Sequence, residues 1–134
     1  MAELYKPELE EISKKKFKEM RDSKHGQQTG VPIVVTDSTL PQVIKEHPLA
    51  VIDCWAEWCG PCHMVAPVIE ELARDYSGKI VFGKLNTEEN RMSANDYNIM
   101  SIPTLLMFKN GKLVDQVVGA MPRQELEPEI IKHL

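Results

Sequence analysis

Cysteine is scarce in this 134-residue chain. It has three cysteines, and this small, odd number argues against the disulfide framework of a secreted protein. No apolar run approaches the roughly 20 residues of a membrane-spanning helix, so we expect no membrane helix. A net charge of −4 gives no reason to expect nucleic acid as a partner. The first thirty residues lack the apolar core of a secretory signal and are too rich in acid for a transit peptide, which favours a cytoplasmic location.

The apolar and charged fractions, 43% and 27%, are those of an ordinary globular protein long enough for one domain. Apolar periodicity and turn residues predict the element order β-α-β-α-β-α-β-β-α. We therefore expect an α/β fold with helices on both faces of a mixed central sheet, parallel strands plus an antiparallel C-terminal hairpin. The predicted strands lie at 33–36, 49–55, 80–85, 105–108 and 113–118, and the helices at about 37–46, 59–76, 88–97 and towards 134.

Two local signals support these boundaries. Asn110 followed by Gly111 is a strong hairpin signal between the last two strands. Thr36, Asp37 and Ser38 are candidate N-caps for the first helix of the compact domain.

Residues 1–31 form a predicted N-terminal extension that precedes a compact domain at 32–134. From Tyr5 to Met20, apolar residues recur on one stripe of an amphipathic helix. Ser23 to Gly30 is rich in glycine and glutamine, which is typical of a linker. The helix either stays solvated or loosely docked, or it binds a partner or a membrane surface, and the pattern leaves both open.

Cys59 and Cys62 are separated by two residues at a predicted strand-to-helix junction, which indicates a redox site. Unpaired N–H groups and the positive end of the dipole at a helix start stabilise a thiolate, the nucleophile of disulfide exchange. We interpret Cys59 as the attacking cysteine and Cys62, one turn later on the same face, as the resolving one. Gly60 permits a tight turn, and Pro61 is tolerated in the first helical turn.

Asp53 interrupts an otherwise apolar strand immediately before this pair. Burying a lone carboxylate is costly, so its pKa should rise towards neutrality. Such a group could accept the proton of Cys62 when that thiol attacks. The simpler alternative is that Asp53 points to the surface or caps a turn.

Three other interpretations of the cysteine pair exist. Cys59 to His63 matches the attachment motif of c-type haem, but the β-α-β context is wrong for it. A zinc site needs four ligands, and the sequence has no second pair of this spacing, so we expect no metal. An inert core pair fits poorly with Pro61 and the helix start, whereas Cys54, in the buried strand, is most simply a small core residue.

The motifs together resemble the thioredoxin family over about residues 32–134. The resemblance is carried by the active-site segment 53–62 and, in the expected order, by segments 84–86, 102–104, 108–111 and 118–120. It implies a thioredoxin-like fold and a thiol-disulfide oxidoreductase that reduces disulfides in other proteins. It also implies a monomer that is reduced by a thioredoxin reductase and needs no cofactor beyond the Cys59–Cys62 disulfide.

The resemblance assigns further roles. Pro103 would be a cis proline facing the cysteines, Ile102 would offer its backbone to substrate, and Lys84 would adjust the proton affinity of Asp53. A docking surface for substrate proteins would be formed by Trp58, Gly60, Pro61, Ile102, Gly119 and Ala120.

Some features depart from the family pattern. His63 stands where lysine is common, so the charge beside the dithiol should depend on pH and tune it. Cys54 replaces an aromatic residue, and Pro128 should shorten or kink the last helix. Two alternative functions stay open on sequence alone: a binding subunit that uses this fold without redox chemistry, and an oxidase or isomerase of disulfides.

Overall fold

The computed structural model describes residues 30–134. The helix predicted for Tyr5–Met20 lies outside the described residues, as does the predicted linker apart from Gly30. The division at residues 31 and 32 stays a prediction. Between residues 30 and 134, every helix is too short or too polar to cross a membrane.

Five strands and four helices follow the predicted order β-α-β-α-β-α-β-β-α, which is confirmed. The strands are β1 (Ile33–Val34), β2 (Leu49–Trp55), β3 (Val81–Asn86), β4 (Thr104–Lys109) and β5 (Lys112–Val118). The helices are α1 (Leu40–Glu46), α2 (Gly60–Asp75), α3 (Arg91–Asp96) and α4 (Arg123–Ile131).

The strands form one mixed sheet in the order β1-β3-β2-β4-β5, as expected. β1 and β2 both pair in parallel with β3, whereas β4 runs antiparallel to β2 and to β5. The hairpin between β4 and β5 turns at Asn110 and Gly111, whose φ angles of 51° and 85° are those of a type I′ turn. β2 is therefore the central strand, and its end leads into α2.

Alternate residues of the sheet build two apolar layers, one on each face. On one face, α2 and α4 cover Leu49, Val51, Phe82, Leu105 and Met107. On the other face, α1 and the segment after α3 cover Ala50, Ile52, Cys54, Leu106 and Phe108. Because helices cover both faces, β2 is buried from Leu49 to Cys54.

The N-cap predicted at Asp37 is wrong for α1. Its carboxylate instead accepts hydrogen bonds from the backbone N–H groups of Met92 and Ser93, at 3.3 and 2.7 Å, at the start of α3. Hydrogen bonding at this helix start holds the pKa of Asp37 below its usual value. Thr36 is the residue that closes the turn before α1, since its hydroxyl oxygen accepts from the Thr39 N–H at 3.3 Å.

Pro128 does not confine the last helix to its final residues, because α4 spans Arg123–Ile131 and runs through it. An interior proline removes one intrahelical hydrogen bond and costs about 3 kcal/mol or more. Leu126 and Ile130 flank it and are almost completely buried against the sheet. Their burial holds the helix in place across the proline, which local sequence signals do not register.

We expect Gly83→Ala to destabilise the fold. A Cβ added to Gly83, in the middle of β3, would lie 2.6 Å from Val35 Cγ2 and 3.0 Å from Ile52 Cδ1. Overpacking of this kind costs about 1–3 kcal/mol in the free energy of unfolding, measured by urea denaturation. Gly60→Ala is the matched control, since its Cβ would meet no atom within 4 Å. Equal urea midpoints for the two variants would contradict the packing argument.

Candidate active site

Cys59 and Cys62 are joined by a disulfide at the start of α2, with their Cα atoms 5.3 Å apart. Cys59 is the N-cap residue, and its sulfur accepts a hydrogen bond from the backbone N–H of Cys62 at 3.2 Å. Pro61 occupies the first turn, where its missing N–H removes no hydrogen bond. The Cys62 N–H and the positive helix end stabilise negative charge on Cys59 Sγ, as a nucleophilic thiolate requires.

Cys62 lies one turn into the helix and faces inward. Its exposed fraction is 2%, and it begins the buried stripe of α2 that continues through Val65 and Ile69. That stripe packs on the sheet face that carries Leu49 and Val51. Since side chains alternate along a strand, Asp53 belongs to the same face of β2. Cys62 thus begins the buried side of the helix that covers the Asp53 face of β2, and its own packing partners are Ala56 and Cys59.

Asp53 is 1% exposed, and neither of its carboxylate oxygens has a hydrogen-bond partner among residues 30–134. Burial raises the pKa of Asp53 to about 6, against a smaller lowering by the positive charge of Lys84. The expected rise in pKa is confirmed. The surface or turn-capping alternative is wrong, because the side chain is enclosed by the core.

Lys84 lies directly beside Asp53 in the pairing of β3 with β2. Its ammonium group stands 4.9 Å from the centre of the Trp55 ring, a cation–π arrangement. The proximity to Asp53 that the family resemblance implied is confirmed. Lys84 places positive charge near the carboxylate without a hydrogen bond to its oxygens, which leaves the pKa of Asp53 raised overall.

The peptide bond between Ile102 and Pro103 is cis, as the resemblance implies. The carbonyl oxygen of Ile102 lies 3.8 Å from Cys59 Sγ, and Ile102 packs against the small cluster around the two cysteines. The Pro103 carbonyl accepts a hydrogen bond from the Gly119 N–H at 2.8 Å. Gly119 has a φ of 97°, and Ala120 follows it with an exposed side chain. Residues from the end of β5 thus stand next to the cis proline.

Trp58 borders a cleft of about 400 Å³ beside Cys59. Its side chain is 69% exposed, and the indole N–H donates to Glu88 Oε2 at 2.7 Å. Sequence reasoning singled out Trp58 and Ile102 but missed Glu88, the partner of the indole, and the other four residues of the lining. Those residues carry no motif of their own, and only the fold brings them to the cleft, whose full lining is Trp58, Thr87, Ile99, Met100, Ser101 and Ile102.

His63 lies in the first turn of α2, where its Nε2 is 2.8 Å from the backbone carbonyl oxygen of Glu57. A carbonyl only accepts, so Nε2 carries the proton of this hydrogen bond. The imidazole edge also meets the Trp55 ring, with centroids 6.1 Å apart. His63 therefore ties the segment before Cys59 to the helix after it. Within residues 30–134, no group of three or more His, Cys, Asp or Glu side chains is placed to hold a metal ion.

Cys54 is a free thiol on the opposite face of β2, in the layer covered by α1. It is 1% exposed, which confirms the interpretation as a core residue. Burial, with a contribution from the charge of Asp53, raises the pKa of Cys54 to about 12. It stays a neutral thiol at physiological pH and takes no part in the chemistry of the pair.

Comparison with known proteins agrees with this geometry. The thioredoxin family model matches residues 31–132. A thioredoxin 1 of Nostoc sp. is 52% identical over 101 residues, which span 75% of this chain and 94% of that protein. A thioredoxin 1 of Synechococcus elongatus is 50% identical over 105 residues, 78% of this chain and 98% of its own length.

Among solved structures, a mutant thioredoxin of Halobacterium salinarum is similar with a TM-score of 0.74 and 31% sequence identity. The match covers 79% of this chain and 93% of that one. The fold, the helix-start cysteine pair and these relatives lead to one assignment. The chain belongs to the thioredoxin family of thiol-disulfide oxidoreductases, and Cys59 and Cys62 are its redox-active disulfide.

Proposed function

We propose that Cys59 attacks disulfides of partner proteins and that Cys62 completes their reduction. The Cys59 thiolate forms a bond to one substrate sulfur, and the substrate disulfide breaks to release the other sulfur as a thiolate. Cys62 then attacks Cys59 Sγ, the mixed disulfide breaks, and the second substrate thiolate leaves. The substrate gains two electrons and the protein ends as the Cys59–Cys62 disulfide.

The observation that supports this division of labour most directly is the hydrogen bond from the Cys62 N–H to Cys59 Sγ. It stabilises charge on Cys59, the residue at the helix start, rather than on Cys62. Both cysteines are largely buried, with exposed fractions of 4% for Cys59 and 2% for Cys62, but Cys59 lies at the helix start beside Ile102 of the cleft, whereas Cys62 lies one turn into the helix. A substrate therefore meets Cys59 first, and Cys62 attacks from within.

Asp53 is the proposed proton acceptor for Cys62, and Lys84 is proposed to adjust its affinity for that proton. The carboxylate lies on the face of β2 that α2 covers, and Cys62 begins the buried side of α2. The Asp53 pKa of about 6 suits a base that operates near neutrality. Its oxygens have no competing hydrogen bond among residues 30–134.

Substrate proteins are proposed to dock over the exposed surface around the pair, with the backbone at Ile102 and the cis proline Pro103 next to the substrate cysteine. Trp58, Gly60 and Ala120 are exposed, and Ile102 is half-buried beside Cys59. The lack of a side chain at Gly119, whose N–H is held by Pro103, leaves this approach open. The complete proposed surface is Trp58, Gly60, Pro61, Ile102, Gly119 and Ala120.

Members of the thioredoxin family act on disulfide substrates and are reduced by a thioredoxin reductase. We propose that the same reductase class returns this chain to the dithiol, and that the dithiol is its one redox group. A cytoplasmic location and a monomeric state complete the proposal, with no nucleic acid or membrane as partner. Reducing compartments favour catalytic use of such a cysteine pair.

Cys59→Ser is expected to abolish reduction of insulin disulfides, because it removes the attacking sulfur. Cys62→Ser is expected to accumulate a covalent mixed disulfide with the substrate, since the resolving sulfur is missing; mass spectrometry would detect it. Insulin reduction by Cys59→Ser would contradict the assignment. A reduction potential well above about −200 mV for the wild-type pair would instead indicate an oxidase.

Asp53→Asn is expected to slow resolution of the mixed disulfide by about 100-fold near pH 7, because the proton acceptor is lost. The same change should alter the pH dependence of stability. The folded-state pKa lies above the ordinary 3.8, so the folded protein binds more protons between pH 3.8 and about 6. Above pH 6, the ionised Asp53 carboxylate thus lowers the free energy of unfolding of the wild type by up to about 3 kcal/mol.

Urea unfolding at pH 4 and pH 8 measures this effect. Relative to the wild type, Asp53→Asn should gain stability on going from pH 4 to pH 8. A difference that does not change with pH would show that Asp53 titrates normally in the folded protein.

His63→Lys is expected to remove a pH-dependent step in the alkylation rate of Cys59 with iodoacetamide, because lysine keeps its charge where histidine loses it. The assay belongs in an Asp53→Asn background, so that the carboxyl titration near pH 6 does not contribute. Lys84, which lies over the Trp55 ring that His63 also contacts, is a further charged group. Glu57 contacts His63 through its backbone carbonyl. Identical pH profiles with and without His63→Lys would remove the tuning role.

A further inference from the structure

Three methionines are strongly exposed in the part of the chain that the structure describes, residues 30–134. Met64, Met92 and Met100 have exposed fractions of 72%, 65% and 91%, whereas Met107, in the middle of β4, is completely buried. Met64 follows the cysteine pair along α2, and Met92 lies in the first turn of α3. Of the three, Met100 lines the cleft beside Trp58.

The cleft beside Trp58 carries no charged side chain in its lining of Trp58, Thr87, Ile99, Met100, Ser101 and Ile102. It is continuous with the redox centre, because the Ile102 carbonyl lies 3.8 Å from Cys59 Sγ. A substrate segment next to the attacked disulfide would therefore pack on uncharged lining residues, with the Glu88 carboxylate beside them on the Trp58 indole N–H. Met100, flexible and apolar, suits contacts with segments of different sequence.

We propose that Met100 is an oxidation site, and that its conversion to the sulfoxide by a peroxide weakens the docking of protein substrates. This inference rests on the docking surface in the proposed function. The thioether sulfur attacks one oxygen of hydrogen peroxide, the O–O bond breaks, an S=O bond forms and water is released. The sulfur loses two electrons and the peroxide gains them. A methionine sulfoxide reductase with its thiol reductant reverses the change.

The consequence follows from the polarity of the product. A sulfoxide is polar and chiral, and a docked substrate would remove it from water next to the apolar side chains of Ile99 and Ile102, which costs free energy. Binding of a protein segment across the cleft is weakened. The cysteine chemistry itself is untouched, since Met100 contributes no group to the sulfur exchange. Peroxide thus lowers turnover of proteins selectively, while small disulfides still react.

The test compares single-turnover rate constants of the reduced full-length protein with insulin and with the small aromatic disulfide DTNB. The protein is treated with hydrogen peroxide in its disulfide form, which protects the cysteines, and is then freed of peroxide and reduced with dithiothreitol. Mass spectrometry should find the sulfoxide at Met100 and not at Met107. The rate constant for insulin should fall about fivefold, which corresponds to about 1 kcal/mol, with the DTNB rate within about twofold.

Two variants assign the effect to this residue. Met100→Leu should show the same insulin rate before and after peroxide, because leucine cannot be oxidised. Met92→Leu, which alters an exposed methionine outside the cleft lining, should still lose the rate on treatment. A third variant, Met100→Gln, imitates the polar sulfoxide and should slow insulin reduction without peroxide.

Loss of rate in treated Met100→Leu, or an unchanged insulin rate in Met100→Gln, would overturn the inference. Trp58→Ala separates this failure from failure of the docking surface. If Trp58→Ala lowers the rate constant of insulin reduction and Met100→Gln does not, the docking surface is supported and the role of Met100 is wrong. If neither variant slows insulin, the docking surface itself is wrong.

Discussion

Strand β2 lies between β3 and β4 and under helices on both faces, so the stretch from Leu49 to Cys54 is shielded from water. The chain must leave this strand and enter α2 within a few residues, which fixes the helix start beside the C-terminal end of the central strand. Cys59 gains its electrostatic environment from that junction. The same enclosure raises the pKa of Asp53, so one constraint supplies both the helix start at Cys59 and the raised pKa of the carboxylate that we propose as the proton acceptor.

The active site is assembled from separate parts of the chain that are held by backbone groups. The Gly119 N–H binds the Pro103 carbonyl, and the Cys62 N–H binds Cys59 Sγ. Two side chains then fix the loop between β2 and α2: His63 holds the carbonyl of Glu57, and the Trp58 indole is held by a carboxylate of the turn before α3. A preorganised backbone frame lowers the conformational entropy that is lost when a partner binds.

The element order, the mixed sheet and the cysteine pair could be predicted because each depends on local patterns within single elements and the turns between them. The raised pKa of Asp53 followed from its apolar neighbours in the same strand. Asp37 shows the limit: its partners Met92 and Ser93 are more than fifty residues away, and a local rule assigned it to the wrong helix. The cleft at Met100 was missed for the same reason, since its lining meets only after the sheet has formed.

Cys54 lies on the far side of β2 from the other two cysteines, buried and held neutral by a pKa of about 12. The chain contains no fourth cysteine. In the native protein, the third thiol is therefore screened from exchange with the pair, and scrambled disulfides within the chain require unfolding. Each molecule consequently carries either two reducing electrons or none. The number of reactive thiols in the native protein reports its redox state directly, because the buried Cys54 does not contribute.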